Sequence, residues 1–465
     1  MVFSSLIFVC IFLPLVFVLH SLLPSLRAKN ALLIAASLLF YAFGEPVYVF
    51  LMIMSAFFNY LCALFMRGKN NKLVLTLSVI VNIGILCVFK YTAFFLETLN
   101  RLLHTALPVP QIALPIGISF FTFQALSYVI DVCRGQVEKQ KNFAHVLLYI
   151  SFFPQLIAGP IVKYKDVAAE IGARQVTAGD AAAGLRRFIW GLGKKVLVAN
   201  TMAVAVDRVF AMQQGEVNIV LAWIAAVAYV MQIYYDFSGY SDMAIGLGRM
   251  FGFHFKENFN YPYASTTIKE FWRRWHISLS SWFKEYVYIP LGGNRKGRVR
   301  TGVNKVIVFF LTGLWHGANW TFVVWGLFHG FFSFLEEAVP SLRRLPRFFL
   351  HLYTMLVVIV GFVIFRADSL SQALFFLARM FTGFSFSPLS GALALQLLTP
   401  FFFAMLVIAV VGCGPIRPLT EKLRALAASR QPAALCLNAA SFVLLGLCIL
   451  RLSGGSYNPF IYFRF

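Results

Sequence analysis

Apolar residues follow one another along this chain in windows of about twenty, separated by short basic or polar stretches. The windows lack the alternation of apolar and polar residues that is typical of barrel strands. Because lipid cannot satisfy backbone hydrogen-bonding groups, such windows cross a bilayer as helices. The pattern predicts an all-α polytopic membrane protein with about eleven to thirteen spans. The apolar segments are 3–23, 31–44, 46–66, 73–96, 112–131, 144–162, 186–212, 217–235, 240–252, 302–313, 318–336, 348–366, 395–414 and 433–452.

The excess of basic over acidic residues indicates which kinds of molecule the protein binds. The 465 residues include 40 Lys and Arg against 18 Asp and Glu, yet only 12% of the residues are charged. The basic residues lie in short loops between apolar segments, where they set topology and attract anionic lipid headgroups. Membrane lipid is therefore an expected partner, and nucleic acid is not. If the basic loops near 27–29 and 67–72 are both cytoplasmic, the N-terminus faces outward.

Organisation along the chain indicates one unit. No linker is long enough to separate domains, so residues 1–465 are interpreted as one integral membrane domain. Its core lies at about 113–335, and its C-terminal helices and tail occupy 348–465. The seven cysteines are scattered and form no Cys-x-x-Cys pair, so neither a disulfide framework nor a zinc site is predicted. The first apolar stretch has no basic residue before it, so it is interpreted as a retained helix.

The stretch from about 254 to 300 is too polar to span a membrane and too aromatic to be disordered. On a single helix, the three- and four-residue steps place its basic residues on one face with a histidine. Aromatic residues occupy much of the rest, which predicts an amphipathic helix at the membrane interface. Anchoring to lipid is one interpretation, and a chemical role for the histidine is the other. The polar face consists of Lys269, Arg273, His276, Ser280 and Lys284.

Two similar pentads carry further histidines, Gly-Leu-Trp-His-Gly at 313–317 and Gly-Leu-Phe-His-Gly at 326–330. Imidazole transfers protons near neutral pH, and polar groups at membrane depth are usually functional. The glycines also permit close helix packing. On one uninterrupted helix, His316 and His329 would lie about 20 Å apart and point to different sides. The residues alone do not choose between them. Asn319 is a candidate for orienting an imidazole ring or binding a substrate carbonyl.

Three other features are candidates. The stretch 234–242 contains two carboxylates beside Ser and Tyr but matches no metal-binding spacing, so no metal is predicted. Asp236 within it is a substrate-binding candidate, although a structural hydrogen-bonding cluster is the stronger interpretation. The stretch 152–160 breaks a helical window, which is tolerated at membrane depth where it lines a cavity or is buried. Near the C-terminus, Tyr462 is either part of an interface anchor or a nucleophile that carries an acyl group.

In combination, these motifs resemble the membrane-bound O-acyltransferases. More narrowly, the chain is similar to the bacterial alginate O-acetyltransferase branch, which is related to membrane proteins of peptidoglycan O-acetylation and teichoic-acid D-alanylation. The resemblance implies a funnel-shaped helical bundle around a central tunnel, with re-entrant or interfacial helices at its mouth. The segments that carry it are 152–160, 234–246, 260–263, 272–294, 313–330 and 460–465.

The resemblance also implies roles for particular residues. The family's catalytic histidine corresponds to His316, and an upstream partner position, often Asn, Asp or His, corresponds to His276. The terminal Phe-x-Tyr-x-x-Phe pattern makes Tyr462 a candidate acyl relay. Trp315, Asn319 and Asp236 are candidates for substrate contact. Basic residues either hold the phosphates of the donor or set topology, namely Arg273, Arg274, Arg295 and Lys296.

The activity that the resemblance implies is transfer of an acetyl group from cytoplasmic acetyl-CoA to an extracytoplasmic polysaccharide. The acceptor would be alginate-like, another exopolysaccharide or peptidoglycan, reached through an esterase-like partner. Acetyl-CoA would act as a substrate, no cofactor would be permanently bound, and the location would be the bacterial inner membrane. Two alternatives stay open. One is D-alanyl transfer from a carrier protein to teichoic-acid-type acceptors, and the other is a transporter or lipid flippase without chemistry.

Overall fold

The structure is a computed structural model that describes residues 1–157, 159–213, 215–339, 341, 344–455 and 460–461. Helix accounts for 77% of it, and the described ranges contain no strand. This confirms the all-α polytopic class. The helices are α1 (Phe8–Leu22), α2 (Leu26–Ala42), α3 (Tyr48–Phe65), α4 (Asn71–Leu103), α5 (Ile118–Cys133), α6 (Phe143–Ser151), α7 (Phe153–Leu156), α8 (Tyr164–Gly172), α9 (Ala178–Phe210), α10 (Ile219–Met250), α11 (Ile268–Arg274), α12 (Ile277–Phe283), α13 (Gly297–His316), α14 (Trp320–Ala338), α15 (Arg347–Arg366), α16 (Leu370–Thr382), α17 (Pro388–Leu397), α18 (Pro400–Gly412), α19 (Arg417–Ser429) and α20 (Gln431–Ser453).

Six of the described helices are long and apolar enough to cross a membrane, namely α3, α4, α9, α10, α15 and α20. The pair α17 and α18, bent by 65° at the break between them, would make a seventh. These are fewer than the eleven to thirteen expected. Part of the difference lies in α1, α5 and α16, which are apolar but short. Another part lies in the window 144–162, which splits at Phe152 into α6 and α7. The funnel and its tunnel remain predictions.

The chain forms two compact units, Met1–Phe188 with Ser241–Glu257, and Ile189–Tyr240 with Asn258–Phe465. The boundaries fall inside α9 and α10. The expectation of one integral domain therefore stays a prediction. In the first unit, the helix break at Phe152 is buried, and the Phe153 amide donates to Ser37 Oγ at 3.0 Å. Burial in protein is one of the two settings in which such a break is tolerated.

Close packing of α13 against α14 organises the second unit around its histidines. A Cβ at Gly313 would lie 2.3 Å from the carbonyl oxygen of Phe322, and one at Gly326 would lie 2.3 Å from that of Phe309. Any side chain there would push the two helices apart, so these glycines serve packing. The contact is made where α13 ends, and it holds the end that carries His316.

The single amphipathic helix predicted across 269–284 is wrong. Instead, α11 ends at Arg274 and α12 begins at Ile277. The preceding loop bonds into the break, where the Asn260 amide donates to Arg274 O and the Ile277 amide donates to Asn258 O, both at 2.9 Å. The aromatic residues expected in the headgroup region are buried in protein. They are Phe271, Trp275, Trp282 and Phe283. Their packing inside the unit competes successfully with a place at the lipid surface.

Candidate active site

His276 lies at the break between α11 and α12, in a left-handed backbone conformation with φ 44° and ψ 54°. This conformation turns the chain so that the imidazole points inward, and the side chain is only 1% exposed. The ring packs edge-on against Phe237, with centroids 4.6 Å apart and planes at 88°. The break that the sequence pattern did not predict is therefore what buries the histidine.

Asn258 determines which ring nitrogen of His276 carries the proton. Asn258 Oδ1 lies 3.2 Å from His276 Nδ1 and also accepts from the Ser278 amide at 3.1 Å and from Ser278 Oγ at 2.9 Å. A backbone amide can only donate, so the oxygen of Asn258 must face this cluster. The neutral imidazole then carries its hydrogen on Nδ1. Its Nε2 is buried with a lone pair and has no hydrogen-bond partner among the described residues.

His316 is the last residue of α13 and is 7% exposed. Aromatic rings surround the imidazole, with centroid distances of 5.0 Å to Trp315, 5.2 Å to Trp325 and 5.1 Å to Phe365. The next residue, Gly317, allows the Phe322 ring to lie directly against the backbone, because a Cβ at Gly317 would lie 2.2 Å from that ring. The helix end and its glycine thus place one histidine in an aromatic enclosure.

The structure brings His276 and His316 together, with ring centroids 6.4 Å apart and planes at 58°. Trp315 adjoins both rings, because its centroid also lies 5.9 Å from His276. Burial, and to a lesser extent the neighbouring His316, lowers the pKa of His276 well below its usual range. His276 is therefore neutral at physiological pH, and a neutral imidazole can accept a proton during a reaction.

His329, the alternative candidate, occupies a different environment. It is fully buried in the middle of α14, with ring centroids 5.0 Å from Trp272 and 5.3 Å from Trp325. On the α15 side, a Cβ at Gly361 would lie 2.5 Å from His329 Nε2. The ring is enclosed by side chains and backbone. The geometry favours His316 as the partner of His276.

The polar residues predicted to contact substrate lie in several places. Asn319 caps α14, since its Oδ1 accepts from the Thr321 amide and its Nδ2 donates to Asp368 O, both at 3.0 Å. Arg274 pairs with Glu270 at 2.7 Å, whereas Arg273 is exposed. Arg295 and Lys296 are exposed too. The substrate roles of all these residues remain predictions.

Asp236 forms a buried ion pair that the sequence reasoning missed. Its Oδ1 lies 2.9 Å from Lys195 Nζ, and each side chain is 1% exposed. Its Oδ2 accepts from the Ile461 amide at 3.0 Å. A lysine inside the apolar window 186–212 was the available signal, because an ionisable residue at membrane depth requires a partner. Asn258 had no comparable signal. Tyr462 lies outside the described residues.

The comparisons decide the family. The profile of the membrane-bound O-acyltransferase family matches residues 118–377, more than half of the chain. The chain belongs to this family. It is 40% identical over 506 residues to a probable alginate O-acetylase of Azotobacter vinelandii, covering 100% of both chains. It is 36% identical over 415 residues to a peptidoglycan O-acetyltransferase of Helicobacter pylori, covering 80% of this chain and 78% of the relative.

A more distant relative shows how far the similarity extends. A teichoic acid D-alanyltransferase of Bacillus subtilis is 28% identical over 248 residues, covering 50% of this chain and 62% of the relative. The protein is thus a membrane-bound O-acyltransferase, and the paired histidines lie within the matched part of the chain. The transporter alternative loses its basis, because the family performs acyl transfer.

Proposed function

We propose that the protein transfers an acetyl group from cytoplasmic acetyl-CoA, through the bacterial inner membrane, towards an extracytoplasmic polysaccharide. The observation that carries the proposal is the pair of buried imidazoles with ring centroids 6.4 Å apart, one at the break between α11 and α12 and the other at the end of α13. Full-length similarity to alginate O-acetylases supports acetyl as the acyl group and alginate or a related polymer as the acceptor.

His316 acts as the general base in this proposal. It removes the proton from an attacking hydroxyl, whose oxygen bonds to the thioester carbonyl carbon. The tetrahedral intermediate then breaks its carbon–sulfur bond, and the CoA thiolate takes the proton from the His316 imidazolium. An aromatic enclosure of low dielectric strengthens the electrostatic interactions that stabilise this charge separation.

His276 assists proton movement. Its Nδ1 hydrogen is engaged by Asn258, so the neutral ring presents a lone pair at Nε2. A lone pair does not polarise a carbonyl oxygen, and the single hydrogen of the attacking hydroxyl goes to His316. His276 instead stabilises the positive charge that forms on the His316 imidazolium, whose ring centroid lies 6.4 Å away, and does not activate the thioester.

The first acceptor is Tyr462 or the final hydroxyl itself. A phenol has a pKa of about 10 and is a better leaving group than an alkyl alcohol, so an acetyl-tyrosine retains transfer potential. In the relay version, an extracytoplasmic esterase-like partner takes the acetyl group from Tyr462 and passes it to the polysaccharide. On the donor side, the exposed Arg273, Arg295 and Lys296 attract the phosphates of CoA.

Intact mass spectrometry of the purified protein after incubation with acetyl-CoA tests the relay. The wild type should gain one acetyl group, whereas Tyr462→Phe should not. His316→Ala should abolish labelled acetyl transfer, and full activity in that variant would refute the assignment. Feeding a D-alanyl-loaded carrier protein in parallel tests the donor. Acylation from the carrier but not from acetyl-CoA would replace acetyl by D-alanyl.

A further inference from the structure

We propose that Lys195, Asp236 and Tyr240 form a receptor for the chain's own C-terminal segment. This receptor, hereafter the tail receptor, binds Phe460 and Ile461 and so fixes the start of the segment that carries Tyr462. The inference deepens the proposed function, on which it rests for the chemistry of Tyr462. The docking itself is testable without any measurement of activity.

The carboxylate of Asp236 provides the polar part of the receptor. One oxygen faces Lys195 Nζ and the other accepts from the Ile461 amide, so its two oxygens serve two different parts of the chain. A hydrogen bond to an ionised acceptor is stronger than one between neutral groups. Removing the tail amide would leave one oxygen of a buried carboxylate without that bond, which is costly.

Tyr240 provides the apolar part. Its ring stacks on Phe460 with centroids 4.0 Å apart and planes at 30°. Residues four apart on a helix share a face, so Asp236 and Tyr240 present one surface of α10 to two consecutive tail residues. Phe460 and Ile461 are both buried, and Ile461 belongs to the hydrophobic core of the second unit. A hydrogen bond, aromatic stacking and burial together therefore hold Phe460 and Ile461 in place.

Local features of α9 and α10 bring the lysine to this position. Residues Lys194–Ala199 are π-helical, a form that is rare and frequently occurs at functional sites. A Cβ at Gly239 would lie 2.8 Å from the carbonyl oxygen of Gly191, so the two helices approach closely there. The approach brings Lys195 within ion-pair distance of Asp236. A pair of apolar residues would fill the same space without the cost of burying two charges.

The receptor adjoins the histidine pair. Phe237 follows Asp236 on α10, and its ring packs against His276 at 4.6 Å. One short stretch of α10 thus contacts the docked tail and the catalytic candidate. Since Ile461 directly precedes Tyr462 in sequence, a receptor that holds Ile461 also fixes the point from which the chain continues to Tyr462. Lys195 and Asp236 are thus positioning residues.

Two matched double variants of the full-length protein test the receptor. Lys195→Met/Asp236→Asn removes both charges but keeps an oxygen that accepts from the Ile461 amide. Lys195→Met/Asp236→Leu removes the charges and the acceptor. The measurement is hydrogen exchange of the C-terminal peptide by mass spectrometry. We expect the Leu variant to exchange about tenfold faster than the Asn variant, with Tyr240→Leu also faster than wild type.

Equal exchange in the two double variants would overturn the receptor and leave the ion pair as a structural feature only. Exchange elsewhere in the protein serves as the folding control, because a global effect would raise it everywhere. His316→Ala separates the two proposals. It should abolish acetyl transfer without changing exchange of the tail. Loss of tail protection in His316→Ala would contradict the assignment of protection to the receptor.

Discussion

The two pentads, 313–317 and 326–330, share a pattern in sequence and differ in what surrounds their histidines. His316 ends a helix, adjoins a second imidazole and is 7% exposed, whereas His329 lies mid-helix, is fully buried and packs against Trp272, Trp325 and the backbone at Gly361. Trp325 touches both rings. In the proposed function, the same residue types thus serve the reaction in one pentad and packing in the other. The position of the helix end makes the difference.

Removing each histidine in turn should have the largest effect on the difference between the two pentads. His316→Ala should lower acetyl transfer from labelled acetyl-CoA by about a thousandfold, because it removes the proposed general base. His329→Leu replaces a buried ring by an apolar side chain and should leave transfer within about threefold of wild type. Comparable losses in both variants would erase the distinction between the pentads.

A substitution of Asn258 tests the His276 tautomer that the proposed mechanism requires. Asn258→Leu removes the acceptor that holds hydrogen on His276 Nδ1, so a fraction of the rings presents N–H where a lone pair is needed. Acetyl transfer should fall by about ten- to a hundredfold, with little change in KM for acetyl-CoA. Asn260→Ala is the matched control, since its exposed side chain lies two residues away. An active Asn258→Leu protein would remove Asn258 from the mechanism.

The tight packing around His329 can be tested at Gly361, the glycine of α15 that lies against its ring. Gly361→Ala places a methyl group against the His329 ring and should destabilise the protein by about 1–3 kcal/mol. Combining it with His329→Ala should recover much of that loss, because the ring no longer occupies the space. Thermal unfolding of both single variants and the double variant measures the coupling. Additive losses would show that the methyl group meets something other than the ring.

The smallest expected effect concerns pH. Burial lowers the pKa of His276, so the folded state binds fewer protons than the unfolded state below about pH 6.5. Its contribution to stability is therefore present above that pH and decreases as the pH falls. Between pH 7.5 and 5.5, the free energy of unfolding of the wild type should fall by about 1 kcal/mol more than that of His276→Asn. The same pH dependence in both proteins would assign the effect to other groups.

Apolar window length predicted the helical class well, because the bilayer requirement acts on composition. The helical periodicity of residues 269–284 did not predict the break at Trp275 and His276. There, backbone hydrogen bonds to Asn258 and Asn260 in the preceding loop end one helix and begin another. Such partners are distant in sequence and invisible to a helical wheel. The resemblance selected His276 and His316. Their proximity, and the hydrogen bond of Asn258, depend on tertiary packing that local pattern does not encode.

The backbone at position 276 restricts which amino acids can stand there at all. Most residue types resist positive φ, while Asn, Asp and His adopt it several times more readily than the others. The family resemblance implies those same three types at this position. The backbone conformation alone therefore gives a physical reason why only these three residue types are common at this position, whatever their chemical role. A substitution at position 276 changes both the backbone strain and the side-chain chemistry, unless the new residue also adopts a positive φ readily.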